Sequence, residues 1–243
     1  MAKKTKSIAQ SPQSTGPTSR IAFPSVSSKE GLECRALLED QILVIDDFFS
    51  PEECKTFVKF IDGLPLEMTP PKKKGEAERV NQDQSVKLYN SKDRISITSS
   101  DFAQSLYEVI RPHLPSFPYP ASVRRPTSDH TPHSLNSNIR MYKYTPGQHF
   151  GCHYDDSVKD SQTGAKSEWT LLIYLSGIED GVKGGETIFY RDQRGKPTEK
   201  IVAPLTRGTA LLHRHGHECL LHEGSPVLEG NKYILRSDLM FMK

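Results

Sequence analysis

The chain has 243 residues, of which 35% are hydrophobic and 26% are charged, with a formal net charge of +2. These values are typical of a soluble globular protein, and they lack the basic surplus that a dedicated DNA- or RNA-binding protein usually carries. No apolar run approaches the length of a membrane-spanning helix, so no membrane partner is expected.

The first 38 residues are predicted to form a disordered, basic tail that is rich in Ser and Thr. This start lacks the apolar core of a secretory signal. The cysteines Cys34, Cys54, Cys152 and Cys219 form no CxxC pair, a pattern typical of free thiols in a reducing compartment. We therefore predict a cytoplasmic or nuclear protein, with organelle import by the tail left open, and a single folded domain over residues 39–243.

Two helices are predicted in the first half of that domain. The apolar run Gln41–Phe49 is predicted to be a buried strand, after which Ser50 can cap a helix that ends at Gly63. A second helix is expected to begin near Asp101 and to stop at Pro112.

From residue 138 onwards the chain reads as a succession of short strands, which we take as the metal-binding core 138–243. Short apolar segments alternate with turns rich in Gly, Pro, Asp and Asn. This pattern predicts an α+β, mainly β protein, with a jelly-roll-like antiparallel core and the two helices packed outside it. Polar loops at 72–85, 118–138 and 157–167 are the candidate substrate contacts.

The stretch Gln148–Asp156, QHFGCHYDD, contains the first candidate metal ligands. If it is a strand, His153 and Asp155 lie on one face and Asp156 lies on the other. One more histidine from elsewhere would complete a two-His-one-carboxylate triad, which leaves three positions open on Fe(II). The candidates for that third ligand are His213, His215, His217 and His222.

Two further readings concern the histidine cluster and the cations that follow it. A zinc site on HRHGH (213–217) is an alternative, although one short strand cannot surround a tetrahedral ion without other partners.

An anionic cosubstrate on iron needs a cation at its far carboxylate. Lys232 and Arg236 share strand parity, so either of them could face the site, or both could face solvent.

Three ordered blocks of the sequence resemble the prolyl 4-hydroxylase-like branch of the iron(II)/2-oxoglutarate dioxygenases. The blocks are YKYTPGQHFGCHYDD, WTLLIYLSG with GGETIFY, and HEGSPVLEGNKYILRSD. The segment VIDDFFSPEEC is similar to the strand and helix that open that branch. The resemblance covers most of residues 41–243.

The resemblance implies a double-stranded β-helix core and a specific set of site residues. His153, Asp155 and His222 match the iron ligands, and Lys232 matches the residue that binds the far carboxylate of 2-oxoglutarate. The implied cofactors are Fe(II), 2-oxoglutarate, O₂ and L-ascorbate. Further candidates at the cosubstrate are Tyr144, nine positions before His153 (153 − 144), Thr187 and the additional cation Arg236.

The implied reaction oxidises 2-oxoglutarate to succinate and CO₂ while it hydroxylates a C–H bond of the substrate. The substrate is expected to be a prolyl or other residue of a protein or peptide, or a small molecule. The chain lacks the Trp-rich ending of the collagen-type enzymes. The alternatives are a dioxygenase of nucleic acid, which the near-neutral charge disfavours, and a cupin-like metal-binding module without catalysis, which the presence of Lys232 disfavours.

Overall fold

The computed structural model describes residues 21–69, 91–117, 119, 131–161 and 163–242. The predicted loop 72–85 and most of the predicted loop 118–138 lie outside these residues. No helix in the described part of the chain is both long and apolar enough to cross a membrane.

The described residues form two α-helices and fifteen strands, joined by short 3₁₀ turns. The helices are α1 (Pro51–Asp62) and α2 (Ser100–Ile110). The strands are β1 (Cys34–Leu38), β2 (Ile42–Ile45), β3 (Glu67–Thr69), β4 (Lys92–Thr98), β5 (Pro132–Leu135), β6 (Asn138–Tyr144), β7 (Phe150–His153), β8 (Lys166–Tyr174), β9 (Lys183–Gly184), β10 (Thr187–Arg191), β11 (Glu199–Val202), β12 (Ala210–Arg214), β13 (Leu221–Gly224), β14 (Val227–Glu229) and β15 (Lys232–Phe241).

Two antiparallel sheets make up the body of the fold. Within the described residues, the larger sheet has nine strands in the order β1-β2-β12-β8-β15-β6-β4-β3, with β5 paired to β15. The smaller sheet has four strands in the order β11-β10-β13-β7, and β14 pairs with β9 as a separate ribbon. The mainly β, jelly-roll class predicted from the sequence is confirmed.

Both faces of the larger sheet are buried, which explains its continuous apolar strands. In β2, Leu43 and Ile45 belong to a cluster with α1 and α2, which we call the helix-side cluster. Ile42 and Val44 belong to a second cluster that includes residues of the smaller sheet, which we call the interior cluster. Successive side chains of a strand point to opposite faces, so each strand supplies both clusters.

The same alternation on β15 determines which of its polar side chains reach the interior. Tyr233 and Leu235 are in the helix-side cluster, whereas Ile234 is in the interior cluster. Lys232 and Arg236 have the parity of Ile234, and both line a cavity between the two sheets. Their burial is therefore a direct consequence of strand register.

The first helix begins and ends as the sequence predicts. The Ser50 side chain accepts a hydrogen bond from the Glu53 backbone N–H, and the Glu53 carboxylate accepts from the Ser50 backbone N–H. This reciprocal capping box satisfies two donors that the first turn of a helix leaves unpaired. The backbone N–H of Gly63 bonds back to the last turn of α1.

Part of the predicted tail belongs to the fold. Within 1–38, Cys34–Leu38 forms β1 and pairs with β2. Further upstream, the ring of Phe23 stacks on Phe102 of α2 with centroids 4.3 Å apart. The folded chain therefore begins before residue 39, and residues 1–20 lie outside the described part. The assignment of the remainder to one domain stays a prediction.

Candidate metal centre

Three predicted ligands come together between the two sheets. His153 is the last residue of β7, and it pairs directly with His222 of β13. Asp155 lies two residues beyond the end of β7, not within a strand as the sequence suggested. The alternation nevertheless continues, because Tyr154 and Asp156 are exposed while Asp155 is buried.

The atoms that would hold a metal are close enough to share one ion. The Nε2 atom of His153 lies 3.6 Å from Asp155 Oδ1, and the Nε2 atom of His222 lies 3.8 Å from Asp155 Oδ2. One ligand atom from each of these residues falls within 4.8 Å of the others. The arrangement has the composition of a two-His-one-carboxylate triad.

Backbone carbonyls fix the orientation of both predicted histidine ligands. The Nδ1 atom of His153 lies 2.8 Å from the carbonyl oxygen of Gly151, and that of His222 lies 2.9 Å from the carbonyl oxygen of Leu220. A carbonyl oxygen can only accept, so Nδ1 carries the proton and Nε2 presents its lone pair to the site. This is the tautomer that metal coordination through Nε2 requires.

Burial keeps these imidazoles neutral. It lowers the pKa of His153 to about 4, with a further contribution from neighbouring His222. The pKa of His222 is also lowered by burial. Both rings are therefore unprotonated at Nε2 at neutral pH, and their lone pairs are available to a cation.

The carboxylate of Asp155 is held by two donors. Arg236 approaches both of its oxygens, at 3.2 Å to Oδ1 and 2.9 Å to Oδ2, and the hydroxyl of Thr170 donates to Oδ2 at 3.1 Å. Burial alone would raise the pKa of Asp155, but the Arg236 guanidinium and the neighbouring imidazoles of His213, His222 and His153 together hold that pKa well below its usual range. The carboxylate is thus ionised and fixed in place, as a metal ligand needs to be.

The three histidines of HRHGH (213–217) lie in three different environments. They therefore do not form the zinc site that this segment offered as an alternative. His213 is buried beside Asp155, with its Nε2 atom 3.7 Å from Oδ2. His215 bonds to the hydroxyls of Thr170 and Ser167, each at 2.9 Å, and so supports the Asp155 side chain indirectly. His217 is exposed.

Lys232 lies on the same cavity as these ligands. It is 3% exposed, and its Nζ atom donates to the carbonyl oxygen of Gly185. The rings of Tyr144 and Tyr174 both have centroids 5.5 Å from Nζ. Burial lowers the pKa of Lys232 to about 7, and the charge of Glu186 offsets this only in part. The hydroxyl of Tyr174 donates to Thr187 at 2.7 Å.

The two candidate cations of β15 therefore differ in what they contact. Arg236 pairs with Asp155 and also lies 3.6 Å from Asp238. Lys232 makes no ion pair with any carboxylate in the described part of the chain. Of these two residues, Lys232 is therefore the one left to pair with an incoming dianion.

Sequence reasoning missed Lys92, which lines the cavity, and Tyr174, whose ring lies beside the ammonium group of Lys232. Lys92 is buried, with its Nζ atom 3.0 Å from the centroid of the Phe150 ring. Burial, reinforced by nearby Arg236, lowers its pKa to about 7. The strand alternation in WTLLIYLSG predicts the face on which the side chain of Tyr174 lies, and this pattern could have identified it. The segment around Lys92 contains no comparable pattern, because the position of Lys92 depends on the pairing of β4 with β6.

The donor set fits a divalent cation. Neutral imidazole nitrogens and an ionised carboxylate converge without any proton between them, so only a cation or a donor from outside would satisfy them. Among the described residues, the Nε2 atom of His213 has no hydrogen-bond partner although it is fully buried. A cation beside Asp155 would satisfy this buried acceptor.

Comparisons with known proteins agree with this chemistry. Residues 139–237 match the family model of the 2OG-Fe(II) oxygenase superfamily. A search of curated proteins finds no match. Among solved structures, a Pseudomonas putida prolyl-4-hydroxylase is similar in fold, with a TM-score of 0.51 and 12% identity over 83% of this chain and 93% of that one. A viral collagen prolyl hydroxylase from Paramecium Bursaria Chlorella virus-1 has a TM-score of 0.48 and 19% identity over 83% of this chain and 96% of that one.

The fold is the jelly-roll of the 2OG oxygenases, and its interior brings together two histidines and one carboxylate. More specifically, residues 139–237 carry a 2OG-Fe(II) oxygenase domain, and the protein is a 2-oxoglutarate- and Fe(II)-dependent dioxygenase. The predicted resemblance to the iron(II)/2-oxoglutarate dioxygenases is confirmed over these residues. The superfamily implies Fe(II) as the cofactor and 2-oxoglutarate and O₂ as cosubstrates.

Proposed function

We propose that His153, Asp155 and His222 bind Fe(II) and that the enzyme hydroxylates a prolyl or other residue of a protein or peptide. The observation that carries the proposal is the convergence of three ligand atoms within 4.8 Å, in a cavity that also contains Lys232. Bound iron would supply the oxidation of 2-oxoglutarate to succinate and CO₂ and of a substrate C–H bond. L-Ascorbate is proposed as the reductant that keeps the iron in the Fe(II) state.

The residues around Lys232 are proposed to bind and orient 2-oxoglutarate. The ammonium group of Lys232 would pair with the far carboxylate of the cosubstrate, in a charge-assisted hydrogen bond. Tyr144 would donate a hydrogen bond from its hydroxyl group to the same molecule, and Thr187 would line the cavity beside it. Arg236 is assigned a different task, since its contacts with Asp155 keep that ligand ionised and in place.

An exposed aromatic side chain within the ligand segment favours a macromolecular substrate. Tyr154 lies between two proposed ligands in sequence and is 62% exposed. Exposed apolar side chains beside a catalytic cavity are suited to contact a peptide. A prolyl residue is the first candidate, because the sequence blocks that carry the resemblance are those of the prolyl 4-hydroxylase-like branch.

The ligand assignment can be tested by succinate release from 2-oxoglutarate in the presence of Fe(II) and ascorbate. Asp155→Ala should abolish iron-dependent turnover, because the only anionic ligand is lost and Arg236 loses its nearest carboxylate. Asp156→Ala is the matched control, since Asp156 is exposed and should leave turnover intact. Full turnover by Asp155→Ala would show that the assignment is wrong.

The substrate class can be tested by incubating the loaded enzyme with peptides and proteins from a cell extract. A product that gains the mass of one oxygen atom with the wild type, but not with Asp155→Ala, would identify the substrate. Salt-sensitive binding of a single-stranded nucleic acid, together with oxidation of its bases, would favour the nucleic-acid alternative instead.

A further inference from the structure

We propose that Lys92 binds an acidic side chain of the substrate, so that the enzyme selects peptides with an Asp or Glu residue close to the residue it oxidises. This inference rests on the proposed function, because it narrows the peptide substrate of the same site. Neither the proposed metal ligands nor the proposed cosubstrate contacts make use of this buried cation.

Strand register places Lys92 and Lys232 on the same face of the larger sheet. Strands β4 and β15 pair with opposite edges of β6. Lys232 pairs with Tyr144, and Asp93 pairs with Lys143, so Lys92 comes beside Tyr144 from the other edge. Residues that lie opposite each other on paired strands point to the same face. Both lysines therefore point into the interior between the two sheets.

The side chain of Lys92 reaches the cavity that holds the proposed iron ligands. It is 7% exposed and lines the same cavity as all three of them. Its Nζ atom lies 3.0 Å from the centroid of the Phe150 ring and 5.0 Å from that of Tyr142. The Phe150 ring in turn has its centroid 3.9 Å from that of the His153 ring. A group bound to Lys92 would thus lie next to the metal centre.

The carboxylates that line the cavity have other partners. Asp155 pairs with Arg236, and Glu223 accepts a hydrogen bond from the hydroxyl of Tyr190 at 2.5 Å. Within the described part of the chain, Lys92 forms no ion pair, and aromatic rings surround its ammonium group. A cation–π contact offsets only part of the cost of burying a charge. A carboxylate from outside would supply the missing partner.

The balance of charge in the cavity indicates which anion fits. Three cationic side chains and two carboxylates line it, namely Lys92, Lys232, Arg236, Asp155 and Glu223. Fe(II) and 2-oxoglutarate carry equal and opposite charges, so loading the site leaves one positive charge in excess. A carboxylate brings one negative charge, whereas a phosphate group brings close to two. An Asp or Glu side chain of the substrate therefore matches the cavity better than a phosphorylated residue does.

The two lysines lie under different strands of the smaller sheet. The ammonium group of Lys232 donates to the carbonyl oxygen of Gly185, just before β10, whereas that of Lys92 lies against the Phe150 ring of β7. Strand β13 separates β10 from β7. We therefore assign the far carboxylate of 2-oxoglutarate to Lys232 and the carboxylate of the substrate to Lys92.

A library of short random peptides, synthesised as C-terminal amides, tests this inference by binding instead of turnover. The full-length protein is loaded with Mn(II) and N-oxalylglycine, an unreactive analogue of 2-oxoglutarate, and the retained peptides are sequenced. We expect peptides that contain Asp or Glu to be enriched at least about 10-fold over the library, as a hydrogen bond between charged groups should achieve. Retention that requires a free C-terminal carboxylate would overturn the assignment to an acidic side chain.

Charge reversal distinguishes a binding role of Lys92 from a merely structural one. The enrichment of acidic peptides should disappear in Lys92→Met, and Lys92→Glu should retain peptides with Lys or Arg instead. Lys55→Met is the matched control and should behave as the wild type does, since Lys55 is exposed on α1. Should Lys92→Met not fold, Lys92→Gln keeps a polar side chain and gives the same comparison.

The outcomes separate this inference from the proposed function. A wild type that does not enrich acidic peptides, or equal enrichment by the wild type and Lys92→Met, would overturn the role of Lys92 and leave the iron site intact. Stronger retention of phosphoserine peptides than of acidic ones would overturn the choice of a carboxylate. Full succinate release by Asp155→Ala would instead overturn the proposed function.

Discussion

At the scale of single residues, the structure distinguishes two cationic side chains that strand alternation alone could not distinguish. Lys232 and Arg236 lie on one face of β15, four positions apart (236 − 232). Arg236 is already neutralised by Asp155 and Asp238. Among the described residues, the ammonium group of Lys232 contacts a carbonyl oxygen and two aromatic rings and forms no ion pair. Binding of an anionic cosubstrate should therefore depend on Lys232.

We predict that Lys232→Met raises the KM for 2-oxoglutarate roughly 10- to 100-fold, because a hydrogen bond between charged groups is worth about 1.5–3 kcal/mol. The measurement is the succinate release assay at varied 2-oxoglutarate concentrations. Lys183→Met serves as the control, since Lys183 is 66% exposed and pairs with Glu229 on the surface. An unchanged KM in Lys232→Met would show that another residue contacts the cosubstrate.

At the scale of elements, the start of α1 ties a distant segment to the helix. Besides closing the capping box, Glu53 accepts hydrogen bonds from the Ser27 backbone N–H at 2.8 Å and from Lys29 Nζ at 2.5 Å. Burial alone would raise the pKa of Glu53, but the bonds from Lys29, Ser27 and Ser50 lower it to about 2. One carboxylate thus fastens the chain before β1 to the first helix.

The Glu53 carboxylate should make the stability of the fold depend on acid. Its pKa is depressed on folding, so its contribution is fully present above pH 4.5 and is lost as the pH falls from 4.5 towards 2. We predict that Glu53→Gln lowers the free energy of unfolding at pH 7 by about 0.5–2 kcal/mol, the usual range for a helix cap.

Urea unfolding of the wild type and of Glu53→Gln, measured at several values between pH 7 and pH 2, tests this prediction. The difference in free energy should shrink as the pH falls through that window. Glu52→Gln is the control, because Glu52 is exposed in the same helical turn. A difference that stays constant down to pH 2 would contradict the role of the ionised carboxylate.

Local sequence patterns predicted the helices and strands well, but they could not predict contacts between segments that are distant in the sequence. The capping box of Ser50 and Glu53 follows from four adjacent letters, but its bond to Lys29 spans 24 residues. Strand alternation likewise predicted the faces of His153 and Asp155. It could not choose among four later histidines, because that choice depends on which strands pair, and it gave no reason to place Lys92 beside Phe150.

At the scale of the whole molecule, the candidate site spans the two sheets. His153 and His222 belong to the smaller sheet, whereas His213 and Arg236 belong to the larger one. Asp155, on the loop after β7, bonds to Arg236 across the interior. An ion held at this point would link the two layers directly, so its binding should be coupled to global unfolding.

We predict that Mn(II) with N-oxalylglycine stabilises the folded protein. A ligand at about 100 times its Kd adds ~2.7 kcal/mol if it binds only the folded state. For a chain of this size that corresponds to a rise in Tm of about 5–10 °C. Thermal unfolding followed by circular dichroism, with and without the two ligands, measures the shift.

Asp155→Asn provides the test of where that stabilisation arises. The substitution keeps the size of the side chain and removes the charge that attracts the cation, so the shift in Tm should disappear, as it should for the wild type in the presence of EDTA. Asp156→Asn should respond as the wild type does. An equal shift in Asp155→Asn would mean that Mn(II) stabilises the protein from another site, and that the two sheets are not linked through this one.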